Sequence, residues 1–266
     1  MKSQRAKGFD GSVRWQVRYE KSLLDFDFAI IKASQGNWMD ETAPSYPEQR
    51  DFLDFAHDIK DIPIKGAYHY FTSSWADWME QVHTFLDIID KARNEGVEFD
   101  FYALDLERHG NTINYEFSIG ALKWMKEVKR LTGKKVILYS NPGTIHQIRQ
   151  LGHTWPRHED LWIAQYPFKK WSERILEAYE NDPIWSPRLP AGHKEWKIWQ
   201  FTADENGAIS YGKTHAGVNS HAVDINVFNG TRAEMEQWVG KQSSYQKYVT
   251  MLTKAWRDIL SRTSRQ

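Results

Sequence analysis

The stretch from residue 100 to residue 107 reads Asp-Phe-Tyr-Ala-Leu-Asp-Leu-Glu, an almost unbroken apolar run that leads into two acidic residues. Apolar runs of this kind are typical of strands that are covered on both faces in a parallel sheet. Because alternate residues of a strand point to the same face, Asp105 and Glu107 should project together from its end. We therefore predict a buried strand that brings two carboxyl groups to one edge of a sheet.

Seven further β-type runs occur along the chain, separated by helical or loop stretches. Together they give eight candidate strands: Ala6–Asp10, Phe28–Ala33, Ile64–Phe71, Phe101–Glu107, Val136–Tyr139, Leu161–Ala164, Trp196–Phe201 and Ala222–Val227. Apolar periodicity or capping signals predict helices at Pro47–Lys60, at Trp75–Arg93, at Asn114–Leu131, from Asn141-Pro142 onward and at Thr231–Trp238. The alternation predicts an α/β protein with a parallel sheet. Eight strands favour a single TIM-like (β/α) barrel, with few outer helices after the sixth strand.

The composition excludes several classes of protein. The 266 residues include 35 basic and 35 acidic residues, so no global basic field supports a nucleic-acid partner. The absence of cysteine excludes a disulfide framework, a thiolate nucleophile and a thiolate zinc site. No apolar run approaches the roughly 18 residues that a transmembrane helix needs. The first five residues lead into a strand-like stretch, so no signal peptide is visible.

The length fits one large domain, which we assign to residues 1–240, followed by a basic tail over residues 241–266. The tail contains six basic residues and one acidic residue, and its apolar residues are spaced for one face of a helix. One interpretation is a terminal helix that packs on the barrel. The other is a surface helix that makes weak contact with anionic cell-wall polymer or lipid.

The acidic pair Asp105 and Glu107 is the strongest candidate for chemistry. Two carboxylates so close together repel each other when both are ionised, so one of them should keep its proton to higher pH. Cleavage of a glycosidic bond requires one protonated carboxyl group and one ionised carboxyl group. The alternative is an exposed strand end with two solvated acids. The apolar run before the pair indicates that the two acids are buried. Burying an ionisable group costs free energy, so a buried pair is more readily explained by a functional role.

Other polar residues lie near the ends of the candidate strands, which converge on one rim in a barrel. The candidate substrate-binding residues are Asp10, Tyr68, Tyr139, Gln165, Tyr166, Trp199, Gln200 and Asp224. Acids, amides and phenols with few cations suit a polyhydroxylated substrate. A tryptophan ring can stack on a sugar face, although core packing is the alternative for any single Trp. The histidines form no HExxH-type cluster and no glycine-rich nucleotide motif is present, so we expect no metal and no cofactor.

Seven ordered segments resemble the family-25 glycoside hydrolases, which are lysozyme-type N-acetylmuramidases of bacteria, fungi and bacteriophages. The segments are Gly8–Ser12, Ile30–Ser34, Gly66–Phe71, Ala103–Glu107, Leu161–Tyr166, Ile198–Phe201 and Val223–Asn226. The resemblance covers about residues 7–239. It implies a flattened barrel and hydrolysis of the β-1,4 bond between N-acetylmuramic acid and N-acetylglucosamine in bacterial peptidoglycan.

The resemblance also implies roles for individual residues. Glu107 matches the general acid, and Asp105 matches a partner that orients the substrate's 2-acetamido group or shields the charge that develops at the sugar. Asp10 and Asp224 match the other two acids of the family's site, and Tyr68 matches a position that lines it. We expect retention of configuration through substrate assistance. Direct attack by Asp105 is the alternative, and the sequence does not separate the two.

Departures from the family and rival functions leave some alternatives open. Gly11 stands where the family often has Val, and Gln35 stands where Glu is common, so the groove can differ. A chitinase-like hydrolase is a weaker interpretation than a muramidase. The chitinase signature needs an acid two residues before Asp105, and position 103 is Ala. A catalytically inactive wall-binding barrel is a third interpretation. We expect this chain to be a monomeric bacteriolytic enzyme that acts on the cell wall. It would be either a phage endolysin released through a holin-type pore or a secreted protein.

Overall fold

The computed structural model describes residues 5–12, 14, 26–37, 51–73, 77–108, 110–166, 186–202 and 224–241. Eight strands form a closed barrel in chain order. The strands are β1 (Lys7–Gly11), β2 (Phe28–Gln35), β3 (Ile64–Tyr70), β4 (Phe101–Asp105), β5 (Lys135–Ser140), β6 (Leu161–Ala164), β7 (Ile198–Gln200) and β8 (Asp224–Phe228). The prediction of a single TIM-like α/β barrel with eight strands is therefore confirmed.

One feature of the expected parallel sheet is wrong, because β8 runs antiparallel to both of its neighbours, β7 and β1. A short apolar strand has the same residue pattern in either direction, so the sequence did not reveal the reversal. The reversal matters for the site. The first residue of β8, Asp224, lies directly beside Asp10 near the end of β1. The amino end of β8 thus lies at the rim where the carboxyl ends of the parallel strands meet.

The strands separate two apolar layers. Inward-facing side chains such as Phe28, Ile30 and Ile137 fill the barrel, and outward-facing ones pack against the surrounding helices. Met235 and Trp238, from the helix Arg232–Trp238, join the inner layer, where the Trp238 ring lies 5.3 Å from the ring of Phe101. Since Phe101 begins β4, this helix closes the barrel at the end opposite to Asp105.

Five α-helices occur in the described residues: α1 (Phe52–Asp58), α2 (Trp78–Asn94), α3 (Tyr115–Thr132), α4 (Pro142–Gln150) and α5 (Arg232–Trp238). Side-chain caps explain where most of them begin. Asn141 accepts a hydrogen bond from the Thr144 amide and precedes a proline in the first turn, as the sequence predicts. The predicted capping box of Thr231 and Glu234 is also present. Residues 186–194 contain neither helix nor strand.

Several predictions fall on residues outside the described ranges. They concern the tail after residue 241, the start of the helix predicted at Pro47, the segments after β6 and β7, and the first residues of the strand predicted at 222. Within the described ranges, no helix is both long enough and apolar enough to cross a membrane.

Candidate active site

A pocket of about 180 Å³ opens at the rim where the parallel strands end. Seven of its nine lining residues are sequence-predicted site residues. The lining consists of Asp10, Ser12, Tyr68, Asp105, Glu107, Tyr139, Trp162, Gln200 and Asp224. The barrel therefore brings four acids from three distant parts of the chain into one small cavity. No lysine, arginine or histidine is among these lining residues.

The acidic pair is positioned by strand-like pairing that continues past the end of β4. The amide of Leu106 donates to the carbonyl oxygen of Tyr139 at 3.0 Å, and the Ser140 hydroxyl donates to the Leu106 carbonyl at 2.7 Å. Leu106 is fully buried in the outer apolar layer. Because the alternation of faces is kept, Glu107 points into the same pocket as Asp105. The Asn111 amide also donates to the Glu107 carbonyl at 3.0 Å, which fixes the backbone there.

On the β1, β7 and β8 side of the pocket, two amides hold the carboxylate of Asp10. The Asn226 Nδ2 donates to Asp10 Oδ1 at 2.6 Å, and the Gln200 Nε2 donates to the same oxygen at 2.9 Å. The Gln200 Nε2 also donates to Asp224 Oδ2 at 3.2 Å. Hydrogen bonds of this kind favour the charged form of a carboxyl group. The three amide hydrogen bonds therefore favour negative charge on this side of the site.

Aromatic donors set the orientation of both amides. The phenols of Tyr139 and Tyr166 donate to Gln200 Oε1 at 2.9 and 2.7 Å, and the indole of Trp162 donates to Asn226 Oδ1 at 2.8 Å. With their oxygens occupied by donors, both amides must turn their nitrogens toward the acids. Burial, followed by the neighbouring Tyr166 and the nearby acids, raises the pKa of Tyr139, which therefore stays protonated as a donor.

Asp105, on the β4 side, has a different environment. It is 7% exposed, and its Oδ1 is a buried atom with no hydrogen-bond partner among the described residues. Burial raises the pKa of Asp105 well above its usual value, and the charges of Glu107 and Asp10 raise it further, while Lys32 opposes this shift. Since two neighbouring carboxyl groups titrate as a unit, the pair retains one proton over a broad pH range.

A comparison with models of protein families shows the family. A family model described as "Glycosyl hydrolases family 25" matches residues 7–208. The chain belongs to glycosyl hydrolases family 25. As a member of family 25, it is a glycoside hydrolase.

The chain is also similar to a curated protein in sequence and to solved structures in fold. The chain is 28% identical over 241 residues to the uncharacterized protein YegX of Escherichia coli O157:H7, an alignment that covers 87% of this chain and 72% of that protein. The fold is similar to the bacterial lysozyme from Streptomyces coelicolor, with a TM-score of 0.61, 18% identity and coverage of 86% and 94% of the two chains. It is also similar to the catalytic domain of endolysin ply40 from bacteriophage P40 of Listeria monocytogenes, with a TM-score of 0.60, 20% identity and coverage of 88% and 97%.

Three sequence-predicted residues of this family-25 chain do not line the pocket. Because Gln200 faces inward on β7, its neighbour Trp199 faces outward, where it is 1% exposed and packs between Trp196 and Phe201. Trp199 is thus a core residue in the described structure. Gln165 binds the backbone of Arg188 instead, and Tyr166 reaches the pocket only through its hydrogen bond to Gln200.

The structure also places at or near the pocket residues that were not predicted from the sequence. Asn226 lies two positions after Asp224 on β8, so the alternation of a strand was a signal that could have found it. Trp162 packs edge-to-face on Tyr139 with ring centroids 4.4 Å apart and lines the pocket between Tyr68 and Tyr139. Lys32 is a lysine within the apolar strand β2, and that interruption was a signal as well.

Lys32 is a buried cation close to the acids of the family-25 site. It is 9% exposed, donates to Gln35 Oε1 at 2.7 Å and lies 5.3 Å from the centre of the Tyr70 ring. Its charge favours the ionised form of Asp105. Within the described residues, no group of three or more His, Cys, Asp or Glu side chains could hold a metal ion.

Proposed function

We propose that this family-25 chain is a muramidase, or lysozyme, which hydrolyses the β-1,4 bond between N-acetylmuramic acid and N-acetylglucosamine in bacterial peptidoglycan. The observation that carries the proposal is the pair of Asp105 and Glu107 at one pocket, with Asp105 buried and its pKa raised. Such a pair supplies one proton and one negative charge, which is the division of labour that glycosidic cleavage needs.

Glu107 is the proposed general acid. It is less buried than Asp105 and is therefore better placed to reach the glycosidic oxygen of a polymer that enters from solvent. In the free enzyme, burial favours the proton on Asp105. When the N–H of the substrate's 2-acetamido group donates to Asp105, that hydrogen bond favours the charged form of Asp105. The shared proton then passes to Glu107, so substrate binding itself protonates the general acid.

The proposed reaction has two steps, each of which balances. In the first, Glu107 protonates the leaving oxygen while the acetamido carbonyl oxygen of the substrate attacks the anomeric carbon, and the glycosidic bond breaks. Asp105 stabilises the resulting oxazolinium ion. In the second, Glu107 acts as base and takes a proton from water as that water attacks the same carbon. Two inversions give net retention.

The remaining polar groups are proposed to position the sugar. Asp10 and Asp224 accept hydrogen bonds from sugar hydroxyls or amides, and the amides of Gln200 and Asn226 hold these acids in position. The ring of Tyr68, which lies edge-to-face against Trp162, forms one wall. A pocket lined by acids and phenols, with no cation among the described lining residues, suits a neutral sugar better than a phosphate.

Direct attack by Asp105 on the anomeric carbon is the alternative first step, and it also gives retention. The two mechanisms differ in their need for the acetamido group. A glycan in which a hydroxyl replaces the 2-acetamido group should be inert if the substrate assists. It should still react if Asp105 attacks, with a glycosyl-enzyme intermediate that is detectable by mass spectrometry.

Digestion of purified peptidoglycan tests the proposed function. We expect falling turbidity and products whose new reducing ends are N-acetylmuramic acid, with retained anomeric configuration by NMR. Glu107→Gln should abolish lysis while the far-UV CD spectrum and the Tm stay those of the parent protein. New reducing ends of N-acetylglucosamine, or faster cleavage of chitin oligomers than of peptidoglycan, would instead indicate a chitinase-like or glucosaminidase activity. Binding to walls without release of reducing ends would indicate an inactive barrel.

A further inference from the structure

A second depression, of about 380 Å³, lies next to the acidic pocket at the same rim of the barrel. We refer to it as the arginine groove, and its lining consists of Pro142, Ile145, His146, Arg149, Gln165, Arg188, Leu189, Pro190 and Ala191. The first four belong to α4, which follows β5, and the last four belong to the loop before β7. Gln165 follows the end of β6 and connects the two sides.

Two consecutive residues link the arginine groove to the acidic pocket. Tyr166 donates to Gln200, which lines the pocket, while Gln165 lines the groove. The two depressions are therefore separated by about the length of the Tyr166 side chain and one hydrogen bond of 2.7 Å. The backbone at Gln165 is fixed as well, because its carbonyl oxygen accepts a hydrogen bond from the Trp199 indole at 2.8 Å.

The side chain of Gln165 also fixes the far wall of the groove. Its Oε1 accepts a hydrogen bond from the backbone amide of Arg188, and its Nε2 donates to the Arg188 carbonyl at 3.3 Å. The loop is thereby held at Arg188, whose side chain is exposed. The two hydrogen bonds between the Gln165 side chain and the Arg188 backbone thus hold the loop so that the Arg188 guanidinium group lies at the rim.

The charge of the arginine groove is opposite to that of the pocket. Its described lining includes three basic side chains, His146, Arg149 and Arg188, and no acid. Neither Arg149 nor Arg188 forms an ion pair with a described residue. By contrast, Arg14, Arg93, Arg130 and Arg232 each pair with a carboxylate at 2.6–3.0 Å. Two guanidinium groups without such a partner, above an apolar floor that includes Ile145 and Leu189, suit an anionic ligand with an aliphatic part.

We propose that the arginine groove binds the carboxylates of the peptide stem that muramic acid carries, so that the enzyme recognises the peptide as well as the glycan. This proposal rests on the muramidase function proposed above. The stem is attached to muramic acid through a lactyl ether, so a muramoyl residue in the acidic pocket necessarily presents its peptide to the surrounding rim. Three extended residues of stem span roughly 10 Å, which is enough to pass the Tyr166 side chain that lies between the pocket and the groove.

The chemistry of the groove matches that of a short stem. A guanidinium group forms bidentate hydrogen bonds with a carboxylate, and two of them can engage a side-chain and a main-chain carboxylate of one peptide. The apolar floor can contact alanine methyl groups. The neutral glycan then occupies the acidic pocket while its negatively charged branch occupies the basic groove, so that neither part meets a like charge.

The experiment compares two substrates and two double variants. The substrates are peptidoglycan strands that keep their stems and the same strands from which an amidase has removed the stems. The test variant is Arg149→Gln with Arg188→Gln. The matched control is Arg93→Gln with Arg130→Gln, which removes the same charge from exposed ends of α2 and α3. Release of reducing ends gives KM and kcat for each combination.

For the test variant we expect KM on stem-bearing strands to rise roughly 10-fold, with kcat and all values on stripped strands unchanged. The control variant should behave as the parent protein does on both substrates. An unchanged KM on stem-bearing strands, or an equal loss on both substrates, would overturn the proposal. If the deficit disappears once teichoic acid is removed from the walls, the groove binds phosphate polymer and the proposal is also wrong. Failure of the parent protein to cleave either substrate would instead refute the muramidase function.

Discussion

The two sides of the acidic pocket differ in the hydrogen-bond donors that they offer to a buried carboxyl group. On the side of β1, β7 and β8, Asp10 Oδ1 accepts hydrogen bonds from two amides, whose own oxygens are held by three aromatic donors. On the side of β4, Asp105 has equal exposure at 7%, but its Oδ1 has no partner among the described residues. At equal burial, the donors around a carboxyl group therefore change how well its negative charge is tolerated.

The difference assigns two tasks within one cavity. In the proposed mechanism, the amide-bound side orients the sugar, and the Asp105–Glu107 side supplies the proton. The reversal of β8 makes this possible, because it places Asp224 and Asn226 at the rim from the amino end of their strand. A parallel eighth strand would turn these residues toward the opposite end of the barrel.

Among the variants that compare the two sides of the pocket, Asp105→Asn should have the largest effect on activity, because it keeps the shape of the side chain and removes its ionisation. We expect kcat to fall by about 10²–10³ on peptidoglycan, because the oxazolinium ion loses its anionic partner. Asp10→Asn is the matched variant on the amide-bound side. It should raise KM more than it lowers kcat, and the opposite order of effects would contradict the division of tasks.

The same substitution should change how stability depends on pH. The folded-state pKa of Asp105 is raised, so the native state binds more protons than the unfolded state above pH 3.8. The stability of the parent protein should therefore fall as the pH rises from 3.8 toward the raised pKa. Asp105→Asn should remove this slope and raise Tm at pH 7 by about 2–4 °C. Calorimetry at several pH values measures it, and an unchanged slope would show that Asp105 does not hold the proton.

Gln200→Glu should have the next largest effect, and it acts on the amide-bound side. The change keeps an acceptor for the two phenols but replaces the donor to Asp10 and Asp224 with a third carboxyl group. We expect a loss of about 2–4 kcal/mol of unfolding free energy at pH 7, which becomes smaller at pH 5 as the new group is protonated. Urea unfolding measures this. Gln147→Glu on α4 is the control for the charge itself, and an equal loss there would argue against the network.

The smallest effects should come from the phenols that orient Gln200. Tyr166→Phe and Tyr139→Phe each remove one of two donors to the same oxygen, so each should cost about 1 kcal/mol or less. The double variant leaves Gln200 Oε1 buried without these donors, and its cost should exceed the sum of the two single costs. A double-mutant cycle by urea unfolding measures the coupling, and strict additivity would mean that the phenols do not share one task.

Much of the fold could be predicted from the sequence because local signals and global topology agree. Apolar runs such as residues 101–104 identified the strands, and caps such as Asn141 identified where helices begin. The antiparallel direction of β8 could not be predicted, because the residue pattern of a short apolar strand carries no direction. The reversal depends on how the closed barrel completes its pairing.

The alternation of side chains between the two faces of a strand explains which site residues were predicted correctly and which were not. Asp105 and Glu107 share a face because their spacing keeps the alternation of a strand. The same rule separates Trp199 from Gln200 and links Asn226 with Asp224. The unsatisfied oxygen of Asp105 depends on tertiary packing, and no sequence pattern indicates it.

The most direct test of the central claim, that Glu107 donates a proton kept by the acidic pair, uses leaving groups of different basicity. An aryl glycoside with an acidic phenol leaving group needs little protonation, whereas the glycan alcohol needs full protonation. We predict that Glu107→Gln lowers the rate of bond cleavage more than 10³-fold on the glycan and less than about 10-fold on the aryl glycoside. Asp105→Asn should lower both rates by similar factors. Equal losses on both substrates for Glu107→Gln, or retained cleavage of the glycan, would contradict the account.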